Sequence, residues 1–364
     1  MQQLFSEIAR HAAQSDQDGL FPQHEFDLIR HSGLLTITLP GQQLCFRQKR
    51  TQELLQLLKC IGKASLPVGR IYEGHINALY LVFLYGNEEQ KRRLYTDAYE
   101  NRFGVWNTQD SQGLEIHDLG NGRYSLQGSK TFCSGGPWIA RPLVTAKLVS
   151  SKKAGWQMCI IPKEKLKAIK SDSSFWKPLG MRASASFRMD FTGIQIEDAD
   201  LLGRPDDYYR QPHFGSGAIR FAAVQLGGAE AFLEETHRFL KGAQRTDDPF
   251  QRARVAEISM LVETGNLWIN QAGHRHDQWL SMSDSTEKLQ AYVNMTRTII
   301  EEICLRTMQL AERSVGARGL MRPGKLERLH RDLTTYLRQP SPDAAQTAAG
   351  KYILDQQNTR SLWD

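Results

Sequence analysis

The chain of 364 residues has no apolar run approaching the ~18 residues of a membrane helix. That excludes a protein organised around membrane-spanning helices. Cysteine is scarce and odd in number: Cys45, Cys60, Cys133, Cys159 and Cys304 are scattered, with no pair at metal-ligand spacing. A disulfide framework is therefore not expected, and reduced, mostly buried thiols are. The stretch from Met1 to Gln17 lacks the apolar core of a signal peptide, so a cytoplasmic location is expected. Charge of one sign is also in short supply, with a net charge of only +6. The basic residues are dispersed apart from short clusters such as Lys91-Arg92-Arg93 and Lys152-Lys153, and no basic–aromatic stripe interleaves them. No nucleic-acid partner is indicated, whereas a polyanionic small molecule such as a nucleotide cofactor or CoA is compatible. Internal repeats and low-complexity tracts are absent.

What remains is the composition of a soluble globular protein, 40% hydrophobic and 24% charged, long enough for two or three domains. Three textures divide it into residues 1–102, 103–205 and 206–364. The first reads as helical. Phe5, Ile8 and Ala12 have helical spacing, as do Leu54, Leu57 and Leu58, and His75 to Tyr85 reads as a buried helix ending at Gly86. Asn87-Glu88-Glu89-Gln90 then opens another helix with acids at its positive end. The second region switches to a period of two, with candidate strands at Gly104–Asn107, Tyr124–Gln127, Leu143–Val149, Trp156–Ile161 and Phe187–Phe191. Short strands at this density suggest a compact barrel or sandwich. The third region returns to helical spacing from Phe221 onward, with candidate helices at Arg254–Trp268, Tyr292–Glu312 and Lys325–Leu337. Gly242-Ala243 and Gly273 read as breaks between them.

The most informative segment is Lys130-Thr131-Phe132-Cys133-Ser134-Gly135-Gly136. It follows Asn121-Gly122, a pair that suits the positive φ angles of a two-residue hairpin turn. A strand thus delivers an aromatic face (Phe132), a short hydroxyl (Ser134) and two glycines that permit close backbone approach. That set suits a flat polar heterocycle such as a flavin ring. The alternative is a β-turn with a buried phenylalanine.

The segment resembles the flavin-contacting element of the acyl-CoA dehydrogenase family. Other stretches resemble that family in the same order: Glu25 to Leu35, Leu84-Tyr85-Gly86-Asn87-Glu88-Glu89-Gln90-Lys91, Leu179-Gly180-Met181-Arg182-Ala183-Ser184, Ile194 to Gly203, and Gly316-Ala317-Arg318-Gly319 with Arg331-Asp332. The resemblance covers nearly the whole chain. It implies an α+β fold with an N-terminal helical domain, a central small β-barrel or sandwich domain and a C-terminal helical bundle. It also implies FAD bound in a homodimer or homotetramer. Ser134 would then bond flavin N5, Phe132 would flank the ring, and Thr108 in Trp106-Asn107-Thr108-Gln109 would bond its pyrimidine side. Gly316 and Gly319 would lie near the adenine and pyrophosphate. Arg245 would reach the pyrophosphate of a neighbouring subunit, with a surface arginine as the alternative.

The resemblance fails at the catalytic base. Counting from Arg331-Asp332 puts Pro340 where the family has its Glu, and Ile219 stands at the other position used, before Arg220. Asp343 is the nearest acid; it is read as a substitute base or, in preference, as the N-cap of a helix to Leu354. Flavin monooxygenases on the same fold also lack the Glu and use histidines, which makes His75 a candidate proton carrier. A satisfied buried histidine is the alternative there. Glu230 reads as helical surface, and His274-Arg275-His276-Asp277 as a loop without a metal. The expected function is flavin-dependent α,β-dehydrogenation of an acyl thioester, with an electron acceptor as partner. The alternatives are a monooxygenase served by a flavin reductase, and a non-catalytic homologue.

Overall fold

The computed structural model describes residues 1–109, 111–150, 154–282 and 284–363. The basic pair at 152–153 lies outside them. The helical, β, helical order expected from the sequence is present. Helices α1 (Gln2–His11), α2 (Gln23–His31), α3 (Thr51–Ala64), α4 (Leu66–Tyr85) and α5 (Glu88–Asp97) come first. A capping box starts α5: the Asn87 side chain accepts from Gln90 N, and Gln90 Oε1 accepts from Asn87 N.

The β region comprises β1 (Phe103–Trp106), β2 (Leu114–Gly120), β3 (Arg123–Cys133), β4 (Arg141–Val149), β5 (Ala154–Ile160), β6 (Lys170–Asp172), β7 (Phe187–Asp190), β8 (Gln195–Glu197) and β9 (Leu201–Leu202). They form a mixed sheet in the order β6-β7-β3-β2-β4-β5-β9, with β1 parallel to β4 and β8 antiparallel to β3. Asn121 and Gly122 turn the β2–β3 hairpin with φ of 55° and 70°. β3 is far longer than its Tyr124–Gln127 stretch suggested. Its first half pairs with β2 and its second half, which carries the flavin-like segment, with β7.

The last region holds α6 (His213–Ser216), α7 (Ala218–Gly242), α8 (Pro249–Trp279), α9 (Thr286–Gly319), α10 (Lys325–Tyr336) and α11 (Pro342–Asp355). Asp248 caps α8, accepting from Phe250 N and Gln251 N ahead of Pro249 in the first turn. Two sequence readings fail here for one reason: glycine in a helix can serve close packing rather than a break. Gly273 lies inside α8, where a Cβ would stand 2.5 Å from Gln52 Cα of α3. His274 to Asp277 are consequently helical, not a loop. Likewise, a Cβ on Gly227 of α7 would meet Lys59 O at 2.2 Å, so α3 and α7 touch backbone to backbone. Across that seam Glu230 pairs with Lys59 at 2.7 Å rather than facing solvent.

α4 runs through the middle of this assembly. Val68, Tyr72, Ile76, Leu79 and Val82 are at or near zero exposure along one face of it, and Ala78 and Tyr80 are buried away from that face, because it packs on α3, α7 and β1 together.

Candidate functional site

A cavity of about 710 Å³ opens where α4, the β region, α7 and the α10–α11 turn meet. Four local devices build it. The first is a kink in β3. The pairing with β7 shifts register between Lys130 and Cys133, and Phe132 takes φ 53°, left-handed backbone that a bulky residue rarely adopts. The bulge turns the Phe132 ring out of the sheet, edge-on to Phe175 and Trp176 at 5.2 and 6.0 Å. It remains 52% exposed on the cavity side, a costly placement for a phenylalanine in left-handed backbone.

The second device is Lys130, fully buried and, among the described residues, paired with no carboxylate. Its Nζ donates to Asn107 O (2.9 Å), Gln109 Oε1 (3.0 Å) and Thr145 Oγ1 (3.3 Å). Burial pushes its pKa down to about 8. These bonds fix the Asn107–Gln109 segment, and Thr131 N donates to Thr108 O, so Thr108 is presented beside Phe132.

The third is a docked loop. Gly180 N donates to Thr335 Oγ1 (2.9 Å) and Met181 N to Asp332 Oδ1 (2.6 Å), laying residues 179–186 on α10. From that loop Ser186 bridges Ser184 (2.8 Å) and Ser134 (3.0 Å) through their hydroxyls. Gly135 N donates to Ser184 O.

The fourth is a polar stripe on α4. Arg70, Glu73 and Asn77 follow one another at helical spacing on an otherwise apolar element. Glu73, 2% exposed, accepts from Arg70 and from Asn77. Asn77 in turn accepts from Arg220 Nε of α7. The i, i+3, i+7 placement of Arg70, Glu73 and Asn77 was a readable signal that the sequence reading passed over. His213 was passed over as well. It lines the cavity, meets Tyr80 Oη through Nδ1 (3.1 Å), and burial lowers its pKa, which leaves it neutral near pH 7.

Thr108, Phe132 and Ser134 therefore converge on one cavity. The other candidates do not. Asp343 is exposed in the first turn of α11, and the cavity is lined there by Pro340, Ser341, Ala344 and Ala345 instead. Nor is Asp343 the cap: Ser341, at φ 56°, precedes Pro342 in the first turn and pushes the helix start two residues earlier. Arg245 pairs with Asp248 at 3.0 Å on the surface, away from the cavity. Gly316 (φ 61°) breaks the helical path of α9 near its end, and Gly319 packs on Val315; neither lines the cavity.

His75 is also outside the lining. Its Nε2 donates to Leu35 O (2.7 Å) and its Nδ1 accepts from Phe103 N (3.0 Å), so both ring nitrogens are spent on pinning α4 to its neighbours. Burial pushes its pKa down to about 4 from the ordinary 6.5. Between those values only the unfolded chain takes up the proton. Stability is therefore intact above pH 6.5 and is lost as the pH falls toward 4, by about 3 kcal/mol from this group. His75→Gln is expected to flatten that slope in urea unfolding measured from pH 7 to pH 4. Parallel slopes for the two proteins would show that His75 does not carry it.

The set of possible metal ligands that does approach closely is not the His274–Asp277 group. Glu7, His11 and His24 have ligand atoms within 4.8 Å of one another on α1 and α2, although Glu7 is already paired with Arg10.

Two family profiles match this chain. That for "Acyl-CoA dehydrogenase, N-terminal domain" covers residues 3–101, and that for "Acyl-CoA dehydrogenase, C-terminal domain" covers residues 219–338. Dibenzothiophene monooxygenase of Rhodococcus erythropolis is 21% identical over 378 residues, 95% of this chain and 90% of that protein. A probable acyl-CoA dehydrogenase of Bacillus subtilis is 24% identical over 345 residues, 90% of this chain and 88% of the relative. Among solved structures, FMN-bound dibenzothiophene monooxygenase from Paenibacillus sp. A11-2 superposes with a TM-score of 0.87 at 21% identity, covering 100% of this chain and 99% of that one.

Proposed function

The chain belongs to the acyl-CoA dehydrogenase superfamily of flavoprotein oxidoreductases, and from that premise we propose that it is a flavin-dependent monooxygenase rather than an acyl-thioester dehydrogenase. One observation carries the choice. Among the described residues lining the cavity the only carboxylate is Glu73, and it is held by Arg70 and Asn77. The family's two base positions are Pro340 and Ile219, and Asp343 stands outside the lining. Abstraction of an α-proton therefore has no free carboxylate base among the described residues of the lining. The similarity to dibenzothiophene monooxygenases points the same way.

The cavity suits a flavin. It offers an uncovered Phe132 face, the Thr108 and Ser134 hydroxyls, and a volume in the range of cofactor pockets. FMN is the flavin we assign, because the similar dibenzothiophene monooxygenase structure is FMN-bound. A reduced flavin supplies the two electrons with which dioxygen is divided between an organic product and water. The chain's own residues do the rest. Phe132 and Trp176 cover the site with apolar surface. The Ser134–Ser186–Ser184 hydroxyls hold a proton at Ser134 Oγ, and neutral His213 can receive or return one. A flavin reductase is the implied partner. Self-association belongs to the same reading, since Met260 and Leu267 stand more than 60% exposed seven residues apart on α8.

The test is a pair of measurements on the purified protein. Loaded anaerobically with oxidised FMN, it is expected to keep its visible flavin band with every member of an acyl-CoA panel. Given reduced FMN and oxygen, it is expected to yield an oxygenated product from an organic acceptor. Bleaching of the flavin by any acyl-CoA would restore the dehydrogenase reading.

A further inference from the structure

Arg220 is 6% exposed in the first turn of α7, yet among the described residues no carboxylate pairs with it. Its one hydrogen bond runs from Nε to Asn77 Oδ1, and its guanidinium lies 5.0 Å from the centre of the Tyr80 ring. The nearby acid is Glu73, already held by Arg70 and Asn77. Among the described residues no partner bonds its two Nη nitrogens, and Arg220 borders open space on two sides. One side is the flavin-sized cavity. The other is an adjoining compartment of about 290 Å³, which Tyr80 and His213 also line and which holds Asp277, itself bonded to Thr51. A buried cation left without an anion is strongly unfavourable. Arg297, among the described residues also without an ion pair, repeats the pattern across the larger cavity: it donates to Pro340 O and lies 5.2 Å from the Phe221 ring. The lining counts four arginines, Arg70, Arg220, Arg297 and Arg338; Glu73 pairs with the first and Glu301, outside the lining, with the last. The free Nη pair of Arg220 is a fork matched to a group with two oxygens on one atom.

We propose that the substrate is a small organic anion, a carboxylate, sulfinate or sulfonate, whose acid group binds the Arg220 Nη pair while the remainder projects toward Phe132 and Ser134. Its small size follows from sharing about 710 Å³ with a flavin ring. The word substrate rests on the monooxygenase reading; the anion site does not.

Titration calorimetry tests it, on the apoprotein and on the FMN-loaded protein, with short-chain and aromatic carboxylates, sulfinates and sulfonates and with the neutral amide of each. At least one acid is expected to bind below about 1 mM and its amide far more weakly. Arg220→Gln is expected to weaken the acid about 10- to 100-fold. Arg220→Lys, which keeps the charge without the fork, should fall between, and serves if the glutamine variant does not fold. Arg245→Gln, at the surface, should bind like the parent. Three results overturn the proposal: amides bind as well as acids, no acid binds below about 1 mM, or Arg220→Gln weakens FMN and spares the acids. The last would assign the guanidinium to the cofactor phosphate. If acids bind through Arg220 and are never oxygenated with reduced FMN and oxygen, the anion site stands and the monooxygenase reading falls.

Discussion

Gly180→Ala is expected to lower the melting temperature by roughly 4 °C and to weaken flavin binding at least about tenfold. The added Cβ would lie 1.9 Å from Arg331 O and 2.4 Å from Asp332 N. Both are backbone atoms of α10, so no side chain can swing aside. α10 is also held in place, because Arg331 is tied to Asp16, outside the helix, at 2.6 Å. The loop must lift, breaking the bonds from Gly180 N and Met181 N, at about 3 kcal/mol for overpacking of this kind. Lifting it withdraws Ser184 from Gly135 and Ser186 from Ser134, which loosens the hydroxyl side of the cavity. Asp332→Asn makes the contrast. Burial raises the Asp332 carboxyl to about 7, so it is partly neutral at physiological pH, and an amide oxygen can still accept from Met181 N. Differential scanning fluorimetry and FMN titration of both variants read the effect. An alanine variant whose curves overlay the parent's would refute the docking argument.

The sequence was legible where a function depends on neighbours in the chain. The β3 segment announces itself because the hairpin turn, the aromatic, the hydroxyl and the glycines are consecutive, and the structure sets Thr108, Phe132 and Ser134 around one cavity. The capping box of α5 is equally local. Legibility ended where side chains distant in the chain decide a residue's role. His75 looked like a proton carrier because its helix passes the site, but its ring is consumed by Leu35 O and Phe103 N, 40 residues before it and 28 after it. Lys130 was visible in the motif and went unassigned, since its acceptors at Asn107, Gln109 and Thr145 are set by the fold of the sheet. Arg220 was noted only as a landmark. What makes it informative is a missing partner, and a missing partner cannot be read from one chain of letters.

Glu73→Gln is expected to leave oxygen-dependent turnover within about tenfold of the parent, whereas Glu73→Ala is expected to destabilise the fold by about 3 kcal/mol. The two substitutions separate the carboxylate's charge from its bonds. Among the described residues Glu73 is the one acid on the cavity wall, and it accepts from both Arg70 and Asn77. Glutamine keeps an acceptor for Arg70 and the shape of the stripe. Alanine strands both donors beside Arg220 and leaves two guanidinium groups with no carboxylate between them; the 28% exposure of the Arg70 side chain keeps the loss at the lower end for a buried pair. The same pair decides the chemistry. If Glu73 removed a proton from an acyl thioester, Glu73→Gln would cost the ~10²- to 10⁴-fold that a general base supplies while melting normally. If the carboxylate only balances Arg70 and orients Asn77 against Arg220, the glutamine variant turns over and the alanine variant fails through stability. Chemical unfolding and turnover on the same preparations separate these outcomes. A well-folded, inactive Glu73→Gln would return the protein to proton abstraction as its central step.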